Sequence, residues 1–335
     1  MKLRNWVTLA GVAAGALGVG IVAKSFLPQR FALDTWDDEP LKLTETNAQE
    51  SPEVLDLPDL EVTFLRCGTA SVPQWVAVRG GLLAPVDIAH SAVLVRHPKA
   101  TFLYDTGLCA DVHAYLANQS FLFRKTLANF VFEQSLSSHL KSLGPGPGTI
   151  DFALLSHLHW DHVSGIPDIP GVPLRVNRVE YEAARLGLLD AYHGLTRHLM
   201  GDNPLELFDC AGPAYEGFRS SYDLFGDGSI VLVPLPGHTA GNTGMFINRA
   251  NGPRLFLLGD AAWVAANYLR PATMHPLIWN AVSSDDATGR QTLIQLHHFA
   301  LAHPEIPLIA MHDGAIQRQF MQTEHSRRNV VEQKQ

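Results

Sequence analysis

Short apolar runs separated by turn residues form the most regular pattern in the chain, starting near residue 60. Runs rich in β-branched, aromatic and leucine residues between turn residues predict strands. They are Leu60–Leu65, Ser91–Val95, Thr101–Tyr104, Ile150–Leu155, Ile230–Leu235, Gly244–Ile247, Arg254–Leu258 and Pro307–Met311. Helical spacing or composition predicts helices over Phe121–Leu143, Val179–Leu189 and Asp285–His303. Because strands and helices alternate without a repeat period, the pattern predicts one layered α/β body.

Histidine or aspartate residues follow four of the predicted strands. They are His157, His159, Asp161 and His162 after the fourth run, then His238, Asp260 and His312 after the fifth, seventh and eighth. Imidazole nitrogens and carboxylate oxygens are the ligands that zinc and similar ions take in proteins. Loops at strand ends are held by the sheet behind them and often carry function. We therefore expect a metal centre there, and the apolar flanks disfavour a merely solvated, histidine-rich loop.

The amino terminus has the charge pattern of an export or anchor segment. Lys2 and Arg4 precede Val7–Ala23, which contains no charged residue. This pattern is typical of a secretory signal peptide, and an uncut segment over residues 1–27 would be long enough to span a bilayer. Both alternatives stay open. Either one predicts contact of this segment with the membrane, and an exported body that is periplasmic or anchored facing outward.

The remaining chain divides into three parts by composition. Residues 28–60 are acidic and contain proline, which predicts a tether that buries little surface. Residues 61–325 carry the alternating pattern and form the predicted catalytic domain. Residues 326–335 form a polar tail.

Charge and cysteine content exclude several classes of protein. The 335 residues include 25 Lys and Arg against 33 Asp and Glu, a formal net charge of −8. An acidic chain without a basic run disfavours nucleic acid as a partner, since phosphate binding relies on clustered Lys and Arg. Cys67, Cys109 and Cys210 are too widely spaced for a Cys-x-x-Cys site, and we expect them to be small core residues.

The His157-x-His159-x-Asp161-His162 motif resembles the signature of the metallo-β-lactamase superfamily. His238 in Pro-Gly-His-Thr, Asp260 in Leu-Gly-Asp and the late His312 complete the resemblance. It implies a four-layer αββα sandwich that binds two divalent metal ions, for which zinc is the preferred assignment. By position, the first ion takes His157, His159 and His238, the second takes Asp161, His162 and His312, and Asp260 bridges them. Asp105, in an Asp-Thr-Gly turn, would orient a ligand from behind.

The resemblance also implies a reaction. Two ions a few ångströms apart stabilise a bridging hydroxide, which attacks a carbonyl or phosphoryl centre without a nucleophilic side chain. Asp161 and Asp260 are the carboxylates assigned to catalysis, with Asp161 able to pass a proton to the leaving group. The predicted enzyme is thus a metal-dependent hydrolase that opens lactones or cleaves carboxylic esters.

Within the superfamily the chain looks most like the N-acyl homoserine lactonases. The His-Leu-His-Trp-Asp-His loop and the His312-Asp313 ending carry this likeness, and residues 185–225 form an aromatic and leucine-rich insert suited to an acyl pocket. Such lactonases have a tyrosine three residues after the bridging aspartate, where this chain has Trp263. We expect Trp263, Tyr268 and Trp160 to lie in the substrate pocket. Trp75 and Trp279 are further candidates for an aromatic wall.

Other functions remain open at this stage. The first alternative to a lactonase is an aryl esterase or phosphotriesterase of the same fold. The next alternatives are a β-lactamase and then a non-catalytic protein that uses the metal only for structure. A glyoxalase-II-type thioesterase and a nuclease of the superfamily are less consistent with export and with the absence of a basic run. The sequence does not indicate the oligomeric state.

Overall fold

The computed structural model of the chain describes residue 27 and residues 56–144, 149–184 and 194–322. The predicted signal or anchor segment, except Leu27, most of the tether and the polar tail lie outside the described residues. In those described ranges, no helix has the length and apolar character needed to cross a membrane.

The first sheet is mixed and has seven strands in the order β4-β1-β2-β3-β5-β6-β7. The strands are β1 Glu61–Pro73, β2 Pro85–His97, β3 Ala100–Tyr104, β4 Val131–Phe132, β5 Phe152–Leu155, β6 Leu174–Asn177 and β7 Leu205–Phe208. The pairs from β4 to β3 are antiparallel, and the pairs from β3 to β7 are parallel. A bulge between Arg66 and Gly68 interrupts the long β1–β2 pairing.

The second sheet has five strands in the order β12-β11-β10-β9-β8. The strands are β8 Tyr222–Asp223, β9 Ile230–Pro234, β10 Thr243–Ile247, β11 Leu255–Leu257 and β12 Leu308–Ile309. Only the β11–β12 pair in this sheet is parallel. The carboxyl ends of β11 and β12 therefore reach the same edge.

Ten helices with complete bounds are described. They are α1 Gln74–Ala77, α2 Val112–Leu116, α3 Phe121–Thr126, α4 Leu136–Ser142, α5 Trp160–Val163, α6 Arg178–Ala183, α7 Leu195–Met200, α8 Ala265–Leu269, α9 Pro276–Val282 and α10 Asp286–Ala302. A 3-10 turn covers Ile166–Asp168, and a further helix begins at Gly314.

Alternation of side chains along the strands arranges the molecule in four layers. In β2, Val93 and Val95 face the second sheet, while Ala92 and Leu94 face helices on the outside. The second sheet alternates in the same way, and its outer face packs against Leu293, Leu296 and other residues of α10. Both faces of each sheet are thus buried, which explains why the strands read as nearly continuous apolar runs. This arrangement confirms the predicted αββα sandwich.

All eight predicted strands are confirmed, and α10 confirms the predicted helix Asp285–His303. The prediction missed β4, β7 and β8, which have two to four residues each. α6 contains the beginning of the predicted helix Val179–Leu189, and residues 185–189 lie outside the described residues.

The single helix predicted over Phe121–Leu143 is wrong. Ser120 and Ser135 each cap a separate short helix, accepting hydrogen bonds from Phe123 N–H and Ser138 N–H, both at 3.2 Å. Between these helices, Val131–Phe132 pairs with the edge of β1. Capping serines and tertiary strand pairing therefore override the helical spacing.

Gly165 provides a test of the close packing behind the sequence-predicted ligand loop. A Cβ atom there would lie 1.9 Å from the backbone oxygen of Thr106. We expect Gly165→Ala to lower the free energy of unfolding by about 1–3 kcal/mol, because the backbone must move to admit one methyl group. Urea denaturation measures the change. Ala114→Ser, at an exposed position in α2, is the control, and equal stability of both variants would contradict this account.

Candidate metal centre

The loops after β5, β9, β11 and β12 bring the seven sequence-predicted ligands together in one buried cluster. Each loop starts at a strand that is fully buried, so the sheet fixes where the loop begins. Gly259 makes the turn that presents Asp260, with a φ angle of 54°. That left-handed conformation favours glycine, and a Cβ there would also lie 2.4 Å from Oδ1 of Asn242.

Three histidines form the first group of the cluster. Nδ1 of His159 lies 3.0 Å from Nε2 of His157 and 2.8 Å from Nε2 of His238. Nitrogens around a tetrahedral zinc ion, each about 2.0–2.1 Å from the metal, lie roughly 3.3 Å apart. The three nitrogens therefore converge at nearly the spacing that one such ion requires.

The second group is arranged around Asp260. Oδ1 of Asp260 lies 3.2 Å from Nε2 of His162, and Oδ2 lies 3.1 Å from Nε2 of His312. Asp161 Oδ2 lies 3.4 Å from the same nitrogen of His312. Because Asp260 Oδ2 is also 3.4 Å from Nε2 of His238, this carboxylate touches both groups.

Hydrogen bonds from behind fix the ring orientation of three of these histidines. Nδ1 of His162 donates to Asp105 at 2.8 Å, and Nδ1 of His312 donates to the carbonyl oxygen of Ala89 at 2.7 Å. Nδ1 of His157 lies 2.9 Å from the hydroxyl of Ser156, which itself donates to Asp105. In each ring the proton on Nδ1 leaves Nε2 free to bind a metal ion.

Asp105 occupies a strained backbone position. Its φ angle is 55°, which is uncommon for a residue other than glycine, and its side chain is fully buried. Its two carboxylate oxygens accept hydrogen bonds from Ser156 and His162. The structure therefore places this sequence-predicted orienting residue directly behind the candidate ligand loop that follows β5, and backbone strain is commonly retained at functional sites.

The electrostatics differ between the two groups. Burial lowers the pKa of His159 to about 4 and that of His238 to about 3, so both are neutral at pH 7. Burial also disfavours charge on His162 and His312, but nearby carboxylates, foremost Asp260, outweigh it and raise the pKa of both rings. The carboxylates of the second group thus favour positive charge on this side of the cluster.

The polar atoms at the centre fit a pair of divalent ions. Nε2 of His162 and Oδ1 of Asp260 are buried and make no hydrogen bond with any of the described residues. Buried polar atoms are normally paired, so such atoms facing one another indicate a ligand. Histidine nitrogens with carboxylate oxygens are the donor set that zinc prefers.

Sequence reasoning missed two buried residues at this centre. Glu180 accepts hydrogen bonds from Leu158 N–H at 2.9 Å and Gly241 N–H at 3.0 Å, which ties two ligand loops together. His90 of β2 lies 3.5 Å from Asp161 through Nδ1. The one signal of His90 in the sequence is an imidazole directly before the predicted strand Ser91–Val95, whereas a lone acid such as Glu180 has none.

A cavity opens onto the metal-binding cluster and has mainly apolar walls. Its non-polar lining includes Val72, Val76, Ile88, Leu127, Ile278 and Val282. Asp161, Asp260, His159, His238 and His312 form its floor. Among the described residues, no Lys or Arg lines it.

Two of the four candidate tryptophans line this cavity. They are Trp160 and Trp263, and the indole N–H of Trp263 donates to Oδ2 of Asp260 at 3.0 Å. Trp75 instead packs edge-on against His275, and Trp279 is buried beside Met274 and Val282.

Tyr268 and the described part of the insert do not take the expected places. The hydroxyl of Tyr268 donates to the carbonyl oxygen of Leu308 at 3.0 Å, and its ring packs in the core under α10. Residues 194–225 contribute α7, β7 and β8 but no residue of the cavity lining. The walls come from β1 and β2, the loop after α3, and α9, because these elements flank the ligand loops.

Comparison with known proteins supports the assignment of the fold. Residues 86–287 match the family model of the metallo-beta-lactamase superfamily, which is more than half of the chain. The chain belongs to the metallo-β-lactamase superfamily. The matched segment includes every predicted metal ligand except His312.

Several N-acyl homoserine lactonases are similar to this chain over much of their length. N-acyl homoserine lactonase AttM of Rhizobium radiobacter is 30% identical over 214 residues, which cover 61% of this chain and 77% of that protein. N-acyl homoserine lactonase AiiB of Agrobacterium fabrum is 27% identical over 247 residues, covering 69% and 84%.

Solved structures share the fold at lower identity. An N-acyl homoserine lactone hydrolase with the product N-hexanoyl-L-homoserine at its catalytic metal center has a TM-score of 0.60 and 18% identity, covering 78% of this chain and 96% of that one. AidC, a dizinc quorum-quenching lactonase, has a TM-score of 0.53 and 16% identity, covering 76% and 88%.

Removal of a central ligand tests the metal assignment. We expect His157→Ala and Asp260→Ala to lose bound metal and to lower kcat/KM by more than about 100-fold, because each withdraws an atom from the shared cluster. Elemental analysis measures the metal, and the exposed His198→Ala is the control. Full turnover by the Asp260 variant would contradict the assignment.

Metal removal provides a second test that requires no substrate. Chelation should lower the melting temperature by at least about 5 °C, because ions bound only by the folded state stabilise it. Addition of zinc should restore the original value. If elemental analysis confirms that the metal is lost and the melting temperature stays unchanged, the cluster does not bind ions that stabilise the fold.

Proposed function

We propose that this protein is a dizinc hydrolase that opens the lactone ring of N-acyl homoserine lactones. The observation that carries the proposal is the complete ligand cluster at the floor of an apolar cavity, with Asp260 between its two halves. The curated relatives with this chemistry support it, since AttM and AiiB are both N-acyl homoserine lactonases.

The shape and chemistry of the cavity favour an acylated, uncharged substrate. Its aliphatic walls suit an acyl chain, because burial of apolar surface stabilises the complex by about 25 cal/mol per Å². Ser71, Thr126 and Asn129 add polar atoms to the lining that can orient an amide. Recognition of a substrate carboxylate normally relies on Arg or Lys, and the described lining has neither, which disfavours a β-lactam.

Two zinc ions bound here would supply a nucleophile at neutral pH and polarise the lactone carbonyl. The residues of the chain hold and orient that chemistry. His157, His159 and His238 would hold the first ion; Asp161, His162 and His312 would hold the second; Asp260 would contact both. Asp161 also borders the cavity, where its carboxylate could accept the proton released by the attacking water and pass it to the leaving oxygen.

The cysteines do not compete as nucleophiles. Cys67 and Cys109 are buried in the core, and burial raises the pKa of each thiol to about 12. A thiol with this pKa is not ionised at neutral pH, so thiolate attack is excluded for both residues.

Trp263 would replace the tyrosine of related lactonases in a different way. An indole N–H donates one hydrogen bond and cannot act as an acid, unlike a phenol. In this chain that N–H is directed at Asp260, and the ring lies 5.3 Å from the ring of His312. We infer that Trp263 steadies the bridging carboxylate and forms a wall of the cavity.

Aryl ester cleavage is the second candidate function. The presence of both Trp160 and Trp263 in the lining favours it, since flat indole surfaces bind aromatic leaving groups. The same metal centre would serve either substrate class, so a substrate panel separates them.

We also propose that the protein is exported, with its catalytic domain outside the cytoplasmic membrane. The support is the uncharged Val7–Ala23 stretch after Lys2 and Arg4. Fractionation of cells that produce the full chain, with amino-terminal sequencing, tests the location and the cleavage together.

The first experiment is a substrate panel with the full, zinc-loaded chain. It compares a long-chain acyl homoserine lactone with a simple γ-lactone, an aryl ester, a phosphotriester and a cephalosporin. We expect the acyl homoserine lactone to have the highest kcat/KM and its product to gain one water, as measured by mass spectrometry. A higher kcat/KM for the aryl ester would move the assignment to the second candidate.

Trp263 variants test the role of the indole. Trp263→Phe should keep two zinc ions and lower kcat/KM by about 10-fold, because one hydrogen bond to a charged group, worth about 1.5–3 kcal/mol, is lost. Trp263→Ala should in addition change the acyl-chain preference, because it enlarges the cavity. Wild-type kinetics in both variants would contradict a functional role for this residue.

A further inference from the structure

His90 lies at the metal centre but is not part of the ligand set that the motifs predict. It is on β2, opposite Gly68 of β1, and its side chain is 5% exposed. The ring borders the same cavity as Asp161 and His312. The bulge between Arg66 and Gly68 lies beside this pair, and bulges next to active sites commonly direct a side chain.

The buried nitrogen of His90 is directed at the carboxylate of Asp161. Nδ1 lies 3.5 Å from Oδ2 of Asp161 and makes no hydrogen bond within the part of the chain that the structure describes. The ring also packs edge-on against His312, with centroids 5.6 Å apart. His90, Asp161 and His312 each offer one metal-ligating atom, and these three atoms lie within 4.8 Å of one another.

The rest of the surroundings of His90 are aromatic. Its ring centroid lies 5.4 Å from that of Phe130 and 5.8 Å from that of Trp160. Aromatic neighbours of this kind hold the ring in place but do not satisfy an imidazole N–H. A buried N–H without a hydrogen bond costs about 1–3 kcal/mol, so its retention beside a carboxylate indicates a use.

The neighbouring residues of β2 already hold the other ligand of this group. Ala89 N–H donates to the backbone oxygen of His312 at 2.9 Å, while Nδ1 of His312 donates to the oxygen of Ala89. Ile88 forms a β-bridge with Asp313. Because this strand segment is fixed against the His312 loop, a side chain on it can hold Asp161 at a defined distance from His312.

We propose that His90 is a positioning residue of the second metal site, where its Nδ1–H donates to Asp161 and holds that carboxylate beside His312. The inference rests on the proposed metal centre and assigns a further residue to it. A small rotation of the Asp161 side chain would shorten the 3.5 Å distance between Nδ1 of His90 and Oδ2 of Asp161 to that of a hydrogen bond. Removal of a residue that hydrogen-bonds to a metal ligand typically lowers metal affinity by roughly 10–100-fold, and we expect a loss in this range for His90.

Three variants of His90 separate a donor at Nδ1 from simple filling of space. His90→Phe keeps a ring but has no donor. His90→Asn places an amide N–H at the branch position of Nδ1, and His90→Gln places the same amide one bond further out. His113→Phe is the matched control, because His113 stacks on Phe130 at 5.3 Å but is exposed and outside the cavity lining.

The readout is zinc affinity, measured by chelator competition on the full chain, with kcat and KM measured in parallel. We expect His90→Phe and His90→Gln to keep one tightly bound zinc and to bind the second about 10–100-fold more weakly. His90→Asn should recover most of the affinity, and His113→Phe should match the wild type. Melting of the metal-free proteins checks that each variant folds.

Two results would overturn the proposal. One is wild-type affinity for both zinc ions in His90→Phe, and the other is equal weakness of His90→Asn and His90→Gln, which would indicate a direct ligand or mere packing. If His90→Phe fails to fold, the comparison of the Asn and Gln variants decides. Zinc titration needs no substrate, so a chain that binds two ions but opens no lactone would refute the proposed function alone.

Discussion

The buried carboxylate of Asp260 is the constraint on which the rest of the structure depends. It contacts His162, His238 and His312 within 3.1–3.4 Å, and it is 2% exposed. A buried anion is costly unless cations or hydrogen bonds compensate it. Two divalent ions held by this carboxylate and the surrounding imidazoles would provide that compensation, and the convergence of so many metal-ligating atoms fits such a pair.

Two further buried carboxylates keep the ligand loops in place. Asp105 connects the loop after β3 to Ser156 and His162, and Glu180 connects the loops that contain Leu158 and Gly241. Asp105 joins its own loop to the loop after β5, and Glu180 joins the loops after β5 and β9, so each carboxylate fixes the relative position of two loops. The sandwich buries these connections, which hold the ligand loops at fixed positions relative to one another.

The sequence predicts the strands and ligand loops well because both depend on local patterns. Long apolar runs such as Ile230–Leu235 are buried on both faces, and the HxHxDH spacing is local to one loop. Tyr268 was misplaced because its distance in sequence from Asp260 gives no information on which side of α8 it faces. β4 could not be foreseen, since its two residues become a strand only by pairing with β1.

The cavity walls show the same limit of prediction. They come from β1, β2, the loop after α3, and α9, which are separated by up to about two hundred residues. The aromatic insert contributes no described lining residue. His90 likewise becomes recognisable as part of the site only when β2 is placed beside Asp161. Tertiary contacts of this kind leave no periodic signal in the chain.

Anomalous diffraction at the zinc absorption edge, on crystals of the full zinc-loaded chain, tests the central claim most directly. The account predicts two peaks about 3.5–4 Å apart, one among His157, His159 and His238 and the other beside Asp161, His162 and His312, with Asp260 between them. A single peak, or two peaks that Asp260 does not contact, would contradict it.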